Sequence, residues 1–300
     1  MSTGLLRVAA AQYPVAEVQD WAQLAQTLRN WVAEASAASA QLLVFPEYGA
    51  MTIAALLPSA QRGQLAAELE FVASHHDDWC QLHATLAQEY GVHLLAGSGP
   101  VRVGQQYRNR AVLFAPSGQS AGQDKWTMTR FESEHWGISP GDTLKVFDTT
   151  LGRIAINICY DVEFPLLARA QVEAGAQLIL APSCTDTTAG YWRVRVGAQA
   201  RALENQCVVV QAPLVGNAAW SASVDVNVGA AGVYTPPDRG LPENGVLAKG
   251  VWNAPQWLYS TVDAQALATV RRDGQVFNHR DWGRQPGLGA LPPVIVEDLR

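Results

Sequence analysis

Arg153-Ile154-Ala155-Ile156-Asn157-Ile158-Cys159-Tyr160-Asp161-Val162-Glu163-Phe164-Pro165 is the stretch that sets the fold class. Ile154, Ile156 and Ile158 alternate with Ala155, Asn157 and Cys159, the period-2 pattern of a strand with both faces mostly buried. Glu163-Phe164-Pro165 then opens a segment that reads as helix from Leu166 to Ala174. A cysteine at such a turn is pinned by the strand yet faces the open rim of the sheet. The backbone N–H groups after it are free to meet a ligand. That place suits a thiolate nucleophile, although a buried cysteine is also a common core residue.

Outward from this strand the chain alternates strands and helices. Residues 5–12 read as a strand, and Asp20 caps a long Ala/Gln-rich helix to about Ala38. Leu42–Phe45 is a buried strand stopped by Pro46, with Glu47 next. A helix from about Asp77 to Tyr90 ends at the cap Gly91, and the strand Val92–Ala96 is broken by Gly97-Ser98-Gly99-Pro100. Residues 107–115 and 119–124 form a hairpin, and 126–143 a long loop of the kind that carries function.

Beyond the central strand, 177–181 and 207–211 read as strands around a helix at 190–204. Strands at 223–234, 245–251 and 257–263 lead to a helix at 264–272. With no linker or repeat, residues 1–275 make one domain, and the Pro-bearing tail 276–300 needs its own domain or a partner subunit to pack on. The alternation predicts an α/β fold of two stacked mixed sheets with helices outside.

Composition narrows the function. A hydrophobic share of 48% and a charged share of 16% describe a globular chain with ample core. The net charge of −6 gives no basic footprint for nucleic acid or an anionic membrane. No run reaches the ~18 apolar residues of a membrane span, and no basic region before Leu5 suggests a signal peptide. Cys80, Cys159, Cys184 and Cys207 are widely spaced, as expected of free thiols in a cytoplasmic protein.

Glu47, Lys125 and Cys159 each follow the end of a predicted strand. In open α/β sheets the functional rim lies beyond the carboxyl ends of the strands. A carboxylate, an ammonium and a thiol meeting there would suffice for acyl transfer. The first takes the thiol proton, the thiolate attacks a carbonyl carbon, and the ammonium stabilises the oxyanion. Spacing alone equally allows a surface Glu, a surface Lys and a core Cys.

Phe45-Pro46-Glu47-Tyr48, Asp124-Lys125 and Asn157-Ile158-Cys159-Tyr160-Asp161-Val162-Glu163-Phe164-Pro165 together resemble the carbon–nitrogen hydrolase (nitrilase) superfamily. Tyr107–Val112 with Pro116-Ser117-Gly118 looks like the hairpin before the family's lysine, and Ala198–Gln206 like its late helix. The resemblance runs from Ala9 to about residue 270. It implies a four-layer αββα sandwich, a Glu-Lys-Cys triad of Glu47, Lys125 and Cys159, and association into a homodimer or larger.

Many relatives add a second glutamate after the lysine. Glu132 and Glu134 both qualify, and the following Ser139-Pro140-Gly141 favours Glu134. The backbone N–H of Tyr160 would share the oxyanion with Lys125, and Lys125 nearby would favour the Cys159 thiolate. Tyr48, Trp136, Thr185, Asp186 and Trp192 are expected around the substrate, with packing roles open to each.

The chain departs from the family pattern at Leu166-Leu167, where relatives often carry a glutamate, and in the loop Pro182-Ser183-Cys184-Thr185-Asp186-Thr187. Both bear on the substrate. Tyr160-Asp161 after the cysteine is like the amidase and carbamoylase branches, whereas nitrile-hydrolysing relatives carry Trp-Glu. The reading is therefore an amidase acting on a small-molecule amide through a thioester, with no cofactor and no metal; the alternatives are a nitrilase acting on a small nitrile and a non-catalytic binding member of the same fold. His75-His76-Asp77-Asp78 with His83 lacks the spacing of a metal site. A papain-like Cys-His pair would need a histidine beside Cys159, and only His135 lies in a suitable loop.

Overall fold

The computed structural model describes residues 4–285, 292–297 and 300. Strand β1 (Leu5–Pro14) leads through helix α1 (Trp21–Ala37) to strand β2 (Leu42–Val44). Helices α2 (Leu65–Ser74) and α3 (His76–Tyr90) precede the meander β3 (His93–Val103), β4 (Gln106–Phe114) and β5 (Ser120–Asp124). The hairpin β6 (Val146–Thr149) and β7 (Gly152–Ile156) is followed by α4 (Pro165–Glu173), β8 (Leu178–Ser183), α5 (Thr188–Asn205) and β9 (Val208–Asn217). Short strands β10 (Val226–Asn227), β11 (Gly232–Tyr234) and β12 (Val246–Lys249) come next, then β13 (Gln256–Asp263) and α6 (Ala264–Asp273).

Local chemistry accounts for most of these boundaries. The Asp20 carboxylate accepts from the Gln23 N–H and caps α1, whose inward face is Leu24, Leu28, Val32 and Ala35. Gly91 takes the left-handed conformation that ends α3. Two expectations change. Helix α2 is an element that the periodicity does not predict, because its buried Glu68 sits among the apolar positions Leu69 and Val72 and blurs the helical period. The Gly97–Pro100 run does not break β3; pairing with β4 continues across a register shift between Leu95 and Ser98. Gly97 has φ +77°, and a Cβ there would lie 2.1 Å from the Pro46 carbonyl, so only glycine lets β3 pass that close to the β2 end.

The fold is α/β, with mixed parallel and antiparallel pairing and helices outside. The strands follow one hydrogen-bonded path in two halves, β5-β4-β3-β2-β1 and β9-β8-β7-β6. Its halves meet where Tyr13 and Pro14 of β1 pair in parallel with Leu214 and Val215 of β9. A period-2 pattern shows which residues face inward but says nothing of a two-residue junction between strands 200 residues apart. Val8, Ala10, Val44 and Leu113 of one half share a buried cluster with Ile154, Ile156, Leu180 and Val210 of the other. A second cluster packs α1 and α3 over Ala9, Ala11, Leu43 and Leu94. Within it, truncating a side chain such as Leu28 to Ala costs ~2–5 kcal/mol.

The described part of the tail is held by the domain. Gln206 Nε2 donates to the Val276 carbonyl at 3.1 Å, and the Arg169 guanidinium donates to the His279 carbonyl and lies over the Trp282 ring. Residues 286–291 and 298–299, and with them part of the tail expectation, lie outside the described residues.

Candidate active site

Three chain segments bring the site together, each just past a strand. Phe45 still donates to the Leu95 carbonyl, after which Pro46 ends the pairing and Glu47 turns inward. Tyr48 then adopts φ +56°, its N–H donating to the Ser98 hydroxyl at 3.1 Å. Lys125 directly follows β5, its N–H donating to the Asn109 carbonyl at 2.8 Å. Cys159 comes three residues after Ile156, the last residue of β7, with φ +49° at the start of a 3-10 turn. Left-handed backbone is uncommon for residues other than glycine, and such strain collects at functional sites.

Asp161 ties two of these segments together. Its buried carboxylate accepts from the N–H groups of Trp126 (3.1 Å) and Thr127 (2.7 Å), just after Lys125, and of Ile158 (3.3 Å), just before Cys159. Burial pushes this carboxyl up to about 6, while the Lys125 charge and the backbone donors pull it down. Asn157, facing the helix side, donates to Gln171 on α4 at 2.6 Å and so anchors the turn from behind.

The Lys125 ammonium is 1% exposed and sits between two carboxylates, 2.7 Å from Glu47 Oε1 and 2.6 Å from Glu132 Oε2. Glu132 also accepts from the Tyr48 hydroxyl (2.7 Å), Asn109 Nδ2 (3.2 Å), and the Thr129 N–H and hydroxyl (2.9 Å each). Glu47 accepts from Asn109 Nδ2 (2.9 Å) and the Cys184 N–H (3.0 Å). The expectation that Glu134 stands beside the lysine is corrected. Glu134 is half exposed and pairs with Arg130, while Glu132 is buried against Lys125. The segment Glu132–Trp136 forms one wide helical turn, and only Glu132 of the two carboxylates points inward.

Electrostatics separates the two carboxylates that share the ammonium. Glu132, buried but held by Lys125 and its other donors, stays below the usual glutamate range. Burial pushes Glu47 up to about 7 against the pull of Lys125, with the Glu132 charge adding to the rise. Burial pulls the Lys125 ammonium down, but Glu132 and Glu47 outweigh it and hold it well above the ordinary lysine value. The Cys159 thiol is pushed well up by burial and by Glu47, with Lys125 acting against the rise. Burial and Glu47 thus act against the thiolate that Lys125 favours, and that one cation already faces two carboxylates. The Cys159 thiol donates to the Cys184 carbonyl at 3.7 Å, and Glu47, pushed up to about 7, lies beside it as the group suited to take its proton.

A cavity of ≈ 530 Å³ opens over these groups. Glu47, Lys125, Cys159, Tyr48, Glu132 and Trp136 line it, as do Tyr160, Thr185 and Asp186. Trp192 does not: it is 48% exposed, packs edge-on against Tyr191 and lies under Arg195. Helical spacing explains the miss, since Gly190, Arg193 and Val194 of α5 face the cavity in its place. Unforeseen wall residues come from Ala222–Val226, where the strand expected over 223–234 shrinks to the short β10 and β11, and from Phe131 and Glu163, while Cys184 comes from the substrate-side loop. Asn109, which bridges both carboxylates, was legible only as part of the hairpin motif. No histidine is among the cavity residues, so nothing described supports a Cys-His pair. No group of three or more metal-ligating side chains occurs among the described residues.

Comparison with known proteins agrees with this geometry. A family profile described as carbon-nitrogen hydrolase matches residues 7–265. The probable hydrolase YhcX of Bacillus subtilis is 33% identical over 279 residues, covering 93% of this chain and 54% of that protein. The chain therefore spans about half the length of that relative. The omega-amidase of Homo sapiens is 28% identical over 210 residues, 65% of this chain and 70% of its own. Among solved structures, Nit3 of Saccharomyces cerevisiae, a member of the nitrilase superfamily, superposes with a TM-score of 0.71 at 21% identity, covering 89% of this chain and 93% of its own. A double mutant of the amidase from Nesterenkonia sp. in complex with acrylamide gives a TM-score of 0.66 at 25% identity, over 92% and 97% of the two chains.

Proposed function

The chain belongs to the carbon–nitrogen hydrolase family, and from that premise we propose that it hydrolyses the C–N bond of a small-molecule amide through a Cys159 thioester. The observation that carries the reading is the buried Lys125 ammonium held between Glu47 and Glu132 in the cavity that Cys159 lines. Glu47 takes the thiol proton as Cys159 Sγ attacks the carbonyl carbon. The oxyanion is stabilised by Lys125 and by the Tyr160 N–H, at the open start of the 3-10 turn. The tetrahedral species collapses as Glu47 returns the proton to the departing nitrogen, leaving the thioester and free amine. Water, deprotonated by Glu47, then releases the carboxylic acid and the thiol. Glu132 keeps Lys125 charged and aimed.

An amide leaves with a proton that Glu47 supplies, whereas a nitrile must gain protons without losing an amine. Tyr160-Asp161 after the nucleophile supports the amide branch. The test is a panel of small amides, carbamoyl amino acids and matched nitriles with ammonia detection, alongside mass spectrometry of the intact protein. Turnover of an amide with an acyl adduct on Cys159 is expected; preference for the nitrile across matched pairs would overturn the amide assignment. The two halves facing one shared core support the four-layer sandwich reading. We also infer a homodimer or larger in a reducing, cytoplasmic setting, supported by the family resemblance and the four free thiols. A monomer by light scattering at micromolar concentration would rule out the association.

A further inference from the structure

Glu68 is a carboxylate with 0% exposure, and among the described residues no cation pairs with it. It stands on α2, and its partners come almost entirely from a loop some 150 residues away. Oε1 accepts from the Gly63 N–H (3.0 Å) and the Ala222 N–H (2.9 Å), and Oε2 from the hydroxyls of Ser221 and Ser223 (2.8 Å each). That loop is a wall of the cavity over Cys159, to which Ala222, Ser223, Asp225 and Val226 contribute. Its far end is stitched to the segment beside Glu47, where the Val228 N–H donates to the Thr185 carbonyl at 2.8 Å and the Cys184 thiol lies 3.3 Å from Asn227 Oδ1.

We propose that Glu68 is a positioning residue that sets the Ser221–Val226 wall of the cavity and thereby the size of the group the site accepts next to the reacting carbonyl; the kinetic part of this inference rests on the amidase reading. Stability alone does not call for a carboxylate here, because a packed apolar side chain in place of a buried charge is often neutral or better. Four converging donors do something an apolar residue cannot: they fix the loop at one distance and one orientation. The loop has only a two-residue strand, β10, of its own, and bonds such as Ala218 N–H to the Asp225 carbonyl and Asn227 Nδ2 to the Val224 carbonyl close within it, so Glu68 is what ties it to α2. Two of the four donors are hydroxyls, which can turn and accept. Glutamine can therefore keep its oxygen on the two N–H groups and donate its amide to Ser221 and Ser223. Alanine leaves both N–H groups without the carboxylate and the two hydroxyls with only each other, 3.0 Å apart.

The test compares the full chain with Glu68→Gln and Glu68→Ala. Cys159 is alkylated in each by iodoacetamide and by the bulkier N-phenylmaleimide, and the rate of each reaction is followed at the Cys159 peptide by mass spectrometry. Glu68→Ala is expected to raise the bulky-to-small rate ratio roughly tenfold, and Glu68→Gln to stay near the wild-type ratio, since pocket changes of this size shift discrimination by roughly 10- to 200-fold. On a turned-over amide the same alanine variant changes KM while kcat stays near wild type. If Glu68→Ala does not fold, Ser221→Ala, at a residue that does not line the cavity, removes one hydroxyl donor to Glu68 and is read in the same way. A wild-type ratio in the alanine variants, or equal change in Glu68→Gln and Glu68→Ala, would overturn the proposal. The alkylation ratio needs no turnover, so a chain that cleaves no amide would count against the amidase reading and leave this measurement decisive.

Discussion

At the buried end of the cavity Glu132 accepts five hydrogen bonds and Lys125 lies against two carboxylates. At its exposed rim Glu163, Asp186, Arg193 and Asp225 line the same space without an ion pair among the described residues, and Phe131 is 60% exposed. The difference is one of solvation. A polar group buried without a partner costs ~1–3 kcal/mol, and Glu47, Glu132 and Lys125 at the inner end are each bonded more than once, which fixes their geometry. Rim charges remain in water, are screened, and can wait for a ligand at little cost. The inner end is therefore suited to one chemistry, and the rim to selecting what reaches it.

The sharpest way to break this contrast is to remove the nucleophile. Cys159→Ala should lower kcat by on the order of 10⁴-fold or more while leaving the thermal transition in place, as groups that act in a unit behave. Comparable residual turnover would show that the reaction does not pass through this thiol. Next comes Lys125→Ala, which strands two buried carboxylates. A loss of ~3–5 kcal/mol in chemical denaturation is expected, with activity down by a factor of about a hundred or more in whatever remains folded.

A finer comparison sets Glu132 against Glu134, two residues apart in sequence but on opposite sides of the solvation divide. Glu132→Gln should reduce kcat on the order of a hundredfold, the scale of a misplaced acid–base or oxyanion group. Glu134→Gln, which loses only an exposed pair with Arg130, should stay within about twofold. Equal effects would mean that burial does not separate them in function.

The pH profile sharpens the same point. Glu47 must be ionised to accept the thiol proton, and burial places it at about 7, so kcat/KM should rise with pH through that value. Because the Glu132 charge contributes to the rise, Glu132→Gln should move the midpoint to lower pH. A profile flat from pH 5 to 8 would argue against Glu47 as the base. The smallest effect is expected at Trp192→Ala, a residue off the cavity, where kcat and KM should both remain within about twofold.

The sequence by itself determined the elements whose causes are local. Asp20 caps α1 and Gly91 ends α3 through bonds that close within four residues. The Ile154–Ile158 alternation ends where Cys159 turns out of the sheet, and Pro46 stops β2 just before Glu47. Those rules placed Glu47, Lys125 and Cys159 at strand ends, and the family motifs joined them. Only the tertiary structure decided what depends on partners distant in the chain. Glu132 rather than Glu134 turns to a lysine whose other partner is 78 residues away, Cys184 reaches back 137 residues to Glu47, and Glu68 holds a loop 153 residues on. The surroundings of Cys159 were decided there too: burial and Glu47 push its thiol up while Lys125 opposes them, and these groups come from separate segments. Periodicity reports which side of an element is buried; it cannot report against what.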